Sequence, residues 1–327
     1  MSEPPIIPGT TAAGATASEV ATTPPPAIAL RSVSRWYGNV VAVNDVSFEL
    51  GPGVTGLLGP NGAGKSTLLH MMSGFLRPSS GEVIVAGGSA WRRPAVYRAV
   101  GLVPEREAVY PFLTGLEFAR FNAVLQGLDH PDAAAARAMD MVDLGEARHR
   151  PIGTYSKGMR QRAKVAGALV HDPPILLLDE PFNGMDPRQR LSMMELLRQM
   201  AASGRTVLFS SHILEEVEHL AERVLVMVAG RLAASGDVRA IRKLMTDRPH
   251  TFTVASSDDR RLAAALLREP AVFGVELSAG SLLVRSADFS AFSRAIAGVA
   301  RDAGIRLYEV LPTDESLESV FSYLVER

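Results

Sequence analysis

The string GPNGAGKS at residues 59–66 narrows the possible folds of this chain more than any other stretch of it. It satisfies the pattern G-x-x-x-x-G-K-[ST] at every position. Gly59, Gly62 and Gly64, with Pro60, Asn61 and Ala63 between them, let a loop fold so tightly that its backbone N–H groups converge on one anionic centre. Lys65 then reaches the β- and γ-phosphates of a nucleotide, Ser66 offers its hydroxyl to Mg2+, and Thr67 follows in the same turn. The competing reading is an ordinary glycine-rich turn. Context decides against it, because the string lies between the strand-like run VTGLL and a helical run whose apolar positions are Leu68, Leu69, Met72 and Phe75.

The rest of the composition limits what surrounds such a loop. The chain has 327 residues, 47% of them hydrophobic and 21% charged, enough for one large domain and a smaller one. A formal net charge of -1 supplies no global field toward nucleic acid or an anionic lipid surface, and no nucleic-acid partner is expected. The absence of cysteine rules out disulfides and thiolate metal sites. No run approaches the roughly 20 apolar residues of a spanning helix, and the start of the chain lacks the basic and apolar regions of a signal peptide. The chain is therefore expected to reach a membrane only through something else.

Residues 1–26, rich in Ala, Thr, Pro, Gly and Ser, read as a disordered tail. From residue 27 to 243, short apolar strands alternate with helical runs, the pattern of an α/β domain with a largely parallel sheet. Inside it, a stretch of about 108–165 lacks strand-like runs. Thr114 and Glu117 have capping-box spacing there, and Phe118, Phe121, Leu125 and Leu128 follow at helical spacing. This stretch is expected to be an inserted helical subdomain. Residues 244–327 restart on a smaller scale in the order β-α-β-β-α-β, which predicts a ferredoxin-like α+β domain. A last helix places Leu317, Val320, Phe321 and Leu324 on one face.

Two further strings carry chemistry. ILLLDE at residues 175–180 is an apolar strand ending in acids; Asp179 suits Mg2+ beside a nucleotide, and Glu180 suits a base for the attacking water. Alone, the string is equally a buried strand with a polar end. Ser156, before a helical run, suits an anion donor or simply a helix N-cap.

With these strings in order, residues from about 30 to 237 closely resemble the ATP-binding cassette family. The family's signature loop, usually LSGGQ, matches Tyr155, Ser156, Lys157, Gly158 and Met159. The resemblance implies a P-loop NTPase cassette that binds and hydrolyses ATP with Mg2+ and works as a homodimer. In that arrangement Ser156, Lys157, Gly158 and Met159 face the γ-phosphate held by the opposite copy. It further implies that Tyr37 stacks on adenine, that His212 senses the γ-phosphate, and that the loop of Asn183, Gly184, Met185 and Asp186 meets the partner copy.

Two positions depart from the family pattern. Glu105 stands where glutamine is usual, at a position that approaches the metal, and Lys157 replaces a glycine. Both variants, and the ending PTDESLESVFSYL, resemble a subgroup of drug, antibiotic and polysaccharide exporters paired with separate membrane subunits. The expectation is an export ATPase subunit held by an integral membrane permease at the cytoplasmic face of the cell membrane. An importer subunit, or a soluble cassette regulator acting on ribosomes or DNA, is the alternative.

Overall fold

The computed structural model describes residues 26–106, 109–237, 250–278 and 280–312. The tail at 1–25, the junction around 243 and the final helix lie outside them.

Strands β1 (Ile28–Tyr37) and β2 (Val40–Leu50) are joined across two residues, with Gly38 at φ 57°. So short a link allows only antiparallel pairing. With β4 (Ser80–Val85) and β5 (Gly88–Ser89) they form a four-stranded antiparallel sheet in the order β2-β1-β4-β5. The hairpin holds these strands in a sheet of their own, beside the largely parallel sheet expected of the domain.

The second sheet has the order β10-β9-β3-β8-β7-β6. Its strands are β3 (Gly53–Leu58), β6 (Val100–Val103), β7 (Ile175–Leu178), β8 (Thr206–Ser211), β9 (Arg223–Val228) and β10 (Arg231–Asp237). All pairs are parallel except β9–β10. Strand β7 is buried throughout, and its side chains alternate between two cores. Ile175 and Leu177 join Leu57, Leu68, Leu69 and Leu208 between the two sheets. Leu176 and Leu178 face the opposite layer with Val207 and Phe209. Helices α1 (Lys65–Met72), α2 (Pro94–Ala99), α6 (Pro187–Ala202) and α7 (Leu214–Leu220) complete the layers. Helix α1 ends before Gly74, whose φ of 78° turns the chain, so Phe75 lies beyond it. Phe75 is 68% exposed and its ring is 6.4 Å from that of Tyr97; it is not on the buried face anticipated from spacing.

The inserted helices are α3 (Gly115–Leu125), α4 (Pro131–Met141) and α5 (Lys157–Leu169). Thr114 and Glu117 form the anticipated capping box. The buried stripe of α3 is Gly115, Phe118, Ala119 and Ala123, whereas Phe121 and Leu125 are exposed. Small residues explain the difference. A Cβ on Gly167 of α5 would stand 2.8 Å from the Phe118 ring, so that contact brings α3 and α5 together along Phe118 instead of Phe121.

Among the described C-terminal residues, β11 (His250–Ser256), α8 (Asp259–Leu266), β12 (Val272–Ser278), β13 (Ser281–Ser286), α9 (Phe289–Asp302) and β14 (Leu307–Pro312) follow in turn. Their antiparallel sheet runs β12-β13-β11-β14, and the two helices pack on one face over Phe252, Val254, Leu282 and Val284. Asp258 and Asp288 cap the helices through backbone N–H groups of Arg261 and Ala291.

Candidate functional site

The glycine-rich loop joins the end of β3 to α1. A Cβ on Gly59 would strike the carbonyl of Met227, and one on Gly64, at φ 99°, the carbonyl of Ala42. No other residue type fits the backbone there. The loop walls a polar cavity of about 350 Å³ whose lining includes Lys65, Ser66, Thr67, Glu105, Asp179 and Glu180.

Lys65 is 6% exposed and its Nζ donates to the carbonyls of Gly59 (2.7 Å) and Pro60 (3.3 Å). It also stands 3.4 Å from Glu180 Oε1. Glu180, equally buried, has a φ of 49°, a left-handed conformation that costs a side-chain-bearing residue about 1–2 kcal/mol. Its Oε2 lies 3.0 Å from His212 Nδ1. Its Oε1 accepts no hydrogen bond among the described residues, although it is fully shielded. That oxygen is compensated by the Lys65 ammonium, so the loop lysine and the Glu180 carboxylate form one buried ion pair at the cavity wall.

Strand β8 supplies groups that pattern reasoning did not single out. Ser210 Oγ donates to Asp179 Oδ1 at 2.6 Å and accepts from Glu180 N–H at 2.9 Å. Ser211 Oγ donates to Glu216 Oε2 at 2.6 Å, and Glu216 is 3.5 Å from Arg190 on α6. Burial pushes the Glu216 carboxyl above its ordinary value; the Ser211 bond and the Arg190 charge oppose that shift. Lys164 of α5, also 6% exposed, donates to the carbonyls of Pro104 (2.7 Å), Glu105 (3.1 Å) and Arg106 (3.2 Å), and so ties the Glu105 loop to the inserted helices. The available signals were a pair of serines ending the apolar strand TVLFSS and a lysine inside AKVAGAL.

Thus Lys65, Ser66, Thr67, Glu105, Asp179 and Glu180 surround one cavity, and His212 joins them through Glu180. Tyr37 is not part of that lining: it is 47% exposed on β1, with the Arg35 guanidinium 4.6 Å from its ring centre. Ser156 caps α5 by accepting from the Met159 N–H at 3.2 Å. The stem of Lys157 lies over Gly184, and Gly158 faces Gln189, so this end of α5 abuts the loop that opens α6. None of Ser156, Lys157, Gly158 and Met159 reaches the cavity in the same chain.

A second cavity, of about 310 Å³, opens between the cassette sheet and the inserted helices. Phe75, Tyr97, Phe118, Gln126, Lys164 and His171 are among its walls. Burial pushes the His171 imidazole below its ordinary value.

Residues 43–183 match the family described as ABC transporter. The chain is 38% identical over 209 residues to the linearmycin resistance ATP-binding protein LnrL of Bacillus subtilis (strain 168), covering 63% of this chain and 67% of that protein. It is 34% identical over 312 residues to the Nod factor export ATP-binding protein I of Rhizobium leguminosarum bv. viciae, covering 93% and 96%. The fold superposes on a dimeric bacterial ABC transporter cassette with a TM-score of 0.61 at 23% identity, covering 65% of this chain and 99% of that one.

Proposed function

This chain belongs to the ATP-binding cassette transporter family, and from that membership and the geometry above we propose that it is the ATP-hydrolysing subunit of an exporter. We further propose that two copies of it act on a separate membrane permease. The family binds ATP and hydrolyses it. Buried Glu180, with one oxygen at His212 and the other facing the Lys65 ammonium in the cavity wall, is the observation that carries the catalytic assignment.

In this reading Lys65, Thr67 and the backbone N–H groups of Gly62, Gly64, Lys65 and Ser66 hold the β- and γ-phosphates, and Tyr37 packs against adenine. The donor set suits Mg2+. Ser66 offers a hydroxyl and Asp179 a carboxylate, with Glu105 on the same wall, and no cluster of three or more His, Asp or Glu forms a cage among the described residues. Mg2+ ordinarily takes one or two carboxylates together with phosphate oxygens, and when bound it neutralises charge on the transferred group. Water attacks the γ-phosphorus, the bond to the bridging oxygen breaks, and the water proton passes to Glu180 Oε1, leaving ADP and phosphate. His212 holds the other carboxylate oxygen and so aims the base.

Ser156, Lys157, Gly158 and Met159 lie away from the cavity of their own chain, which suits contact with nucleotide on a second copy. The solved cassette of the same fold is dimeric. Export as the direction of transport is supported by relatives named for linearmycin resistance and Nod factor export. No helix among the described residues is long and apolar enough to cross a membrane. The permease would therefore anchor the chain at the cytoplasmic face, and the aromatic-walled second cavity suits its docking segment.

The decisive experiment is Glu180→Gln, which preserves shape and removes the proton acceptor. Hydrolysis should fall about 10²–10⁴-fold while ATP binding persists, and a closed dimer should accumulate with ATP in light scattering. Ser156→Arg in the same chain should dissolve that dimer. Normal turnover in the glutamine variant refutes the choice of base.

A further inference from the structure

We propose that Ser210 is the positioning residue that holds Asp179 and Glu180 in one register, so that Mg2+ and the attacking water are served by a single rigid unit. The proposal rests on the ATPase reading above.

Ser210 has no exposed surface. A serine hydroxyl has one proton to donate and lone pairs to accept, and both capacities are used on adjacent residues. Its proton goes to Asp179 Oδ1 at 2.6 Å, and its oxygen takes the Glu180 N–H at 2.9 Å. One oxygen atom thus couples the side chain of the metal-binding residue to the backbone of the base. The second bond falls on the strained residue, since Glu180 sits at φ 49°. Such a conformation persists only where surrounding contacts over-determine it.

Two residues further along, His212 contacts Glu180 Oε2 at 3.0 Å. The end of β8 therefore grips Glu180 twice, at the backbone through Ser210 and at the carboxylate through His212. Releasing the first grip lets the backbone leave the left-handed region and carries the carboxylate away from Lys65. It also removes from Asp179 a charge-assisted bond that orients it.

The test measures equilibrium binding of a fluorescent ATP analogue to the full chain, in EDTA and across a Mg2+ titration. Ser210→Ala should bind nucleotide in EDTA like the parent, because the phosphate loop is untouched. The gain in affinity that Mg2+ confers should fall by about 10- to 100-fold, the range for losing a hydrogen bond to a charged group. Ser210→Thr, which retains the hydroxyl, should restore it. Ser286→Ala removes another fully buried serine from the C-terminal sheet and controls for general loss of stability. It should leave the Mg2+ response alone.

A folded Ser210→Ala chain with the parent's Mg2+ response overturns the proposal, as does a defect that threonine does not repair. If the alanine variant does not fold, Ser210→Cys, with its weak thiol donor, is judged by the same criteria. Should the parent bind no nucleotide, or Lys65→Ala bind it equally well, the ATPase reading itself fails and takes this inference with it.

Discussion

Burial at the edge of the site raises the carboxyl of Glu216, and the consequence for stability has a definite sign. Between its ordinary value of 4.5 and the raised folded value, the native state binds more protons than the unfolded chain. Stability contributed by this group is therefore present below 4.5 and is lost as pH rises through the folded value. Glu216→Gln keeps a partner for Ser211 and abolishes the titration. Its unfolding free energy should fall less than the parent's between acid and neutral pH, measured by urea titration at each pH. Parallel curves would refute the assignment. Lys65, Asp179 and Glu180 were legible beforehand because each belongs to a string whose order carries meaning. Glu216 and Ser210 were not, because a carboxylate in a helix or a serine in a strand acquires a role only from what the fold sets opposite it.

Helix α5 shows what one element does at several points. Its first turn presents Lys157 and Gly158 toward the loop that opens α6, while Lys164, two turns on, holds three carbonyls of the Glu105 loop. A rigid helix converts movement at one end into movement at the other, so α5 links the loop at Ser156 to the cavity wall. Lys164→Met keeps most of the stem and removes every donor. It should cost about 1–3 kcal/mol in denaturant unfolding, since the carbonyls lose their partner. It should also weaken ATP-driven dimer closure more than ATP binding to the single chain, compared by light scattering and equilibrium binding. Equal losses in both would reduce Lys164 to a stability role. The capping box at Thr114 was readable because it is local. The choice of Phe118 over Phe121 for the buried stripe was not, because it depends on Gly167 in a helix more than forty residues away.

Among the cavities of the described residues, two of similar size have different walls. One is lined by a lysine, three carboxylates and a glycine loop, and the other has aromatic rings at its rim. Phe75 and Tyr97, 68% and 40% exposed with ring centres 6.4 Å apart, form an apolar pair at the mouth of the second cavity. If the proposed permease docks there, Phe75→Glu with Tyr97→Glu should release the chain from membranes that contain that permease, by about tenfold or more in co-sedimentation, because burying two charges opposes docking. ATP binding by the isolated chain should stay at the parental level. Unchanged sedimentation would assign docking to another surface.

What the amino-acid order determined by itself is local in origin: the phosphate loop, the acid-ended strand, the capping box, and the alternation of strands and helices. Each depends on residues within about ten positions of one another, where backbone geometry alone links pattern to conformation. The tertiary structure decided whatever needed distant segments to meet. It paired β1 with the distant β4, brought Phe118 against Gly167, and placed Tyr37 outside the cavity lining. It also set the β8 hydroxyl of Ser210 between Asp179 and Glu180, thirty residues earlier in the chain. Hydrogen bonds and packing across such separations depend on which strands become neighbours. That order is a property of the assembled sheet, and no single stretch of sequence contains it.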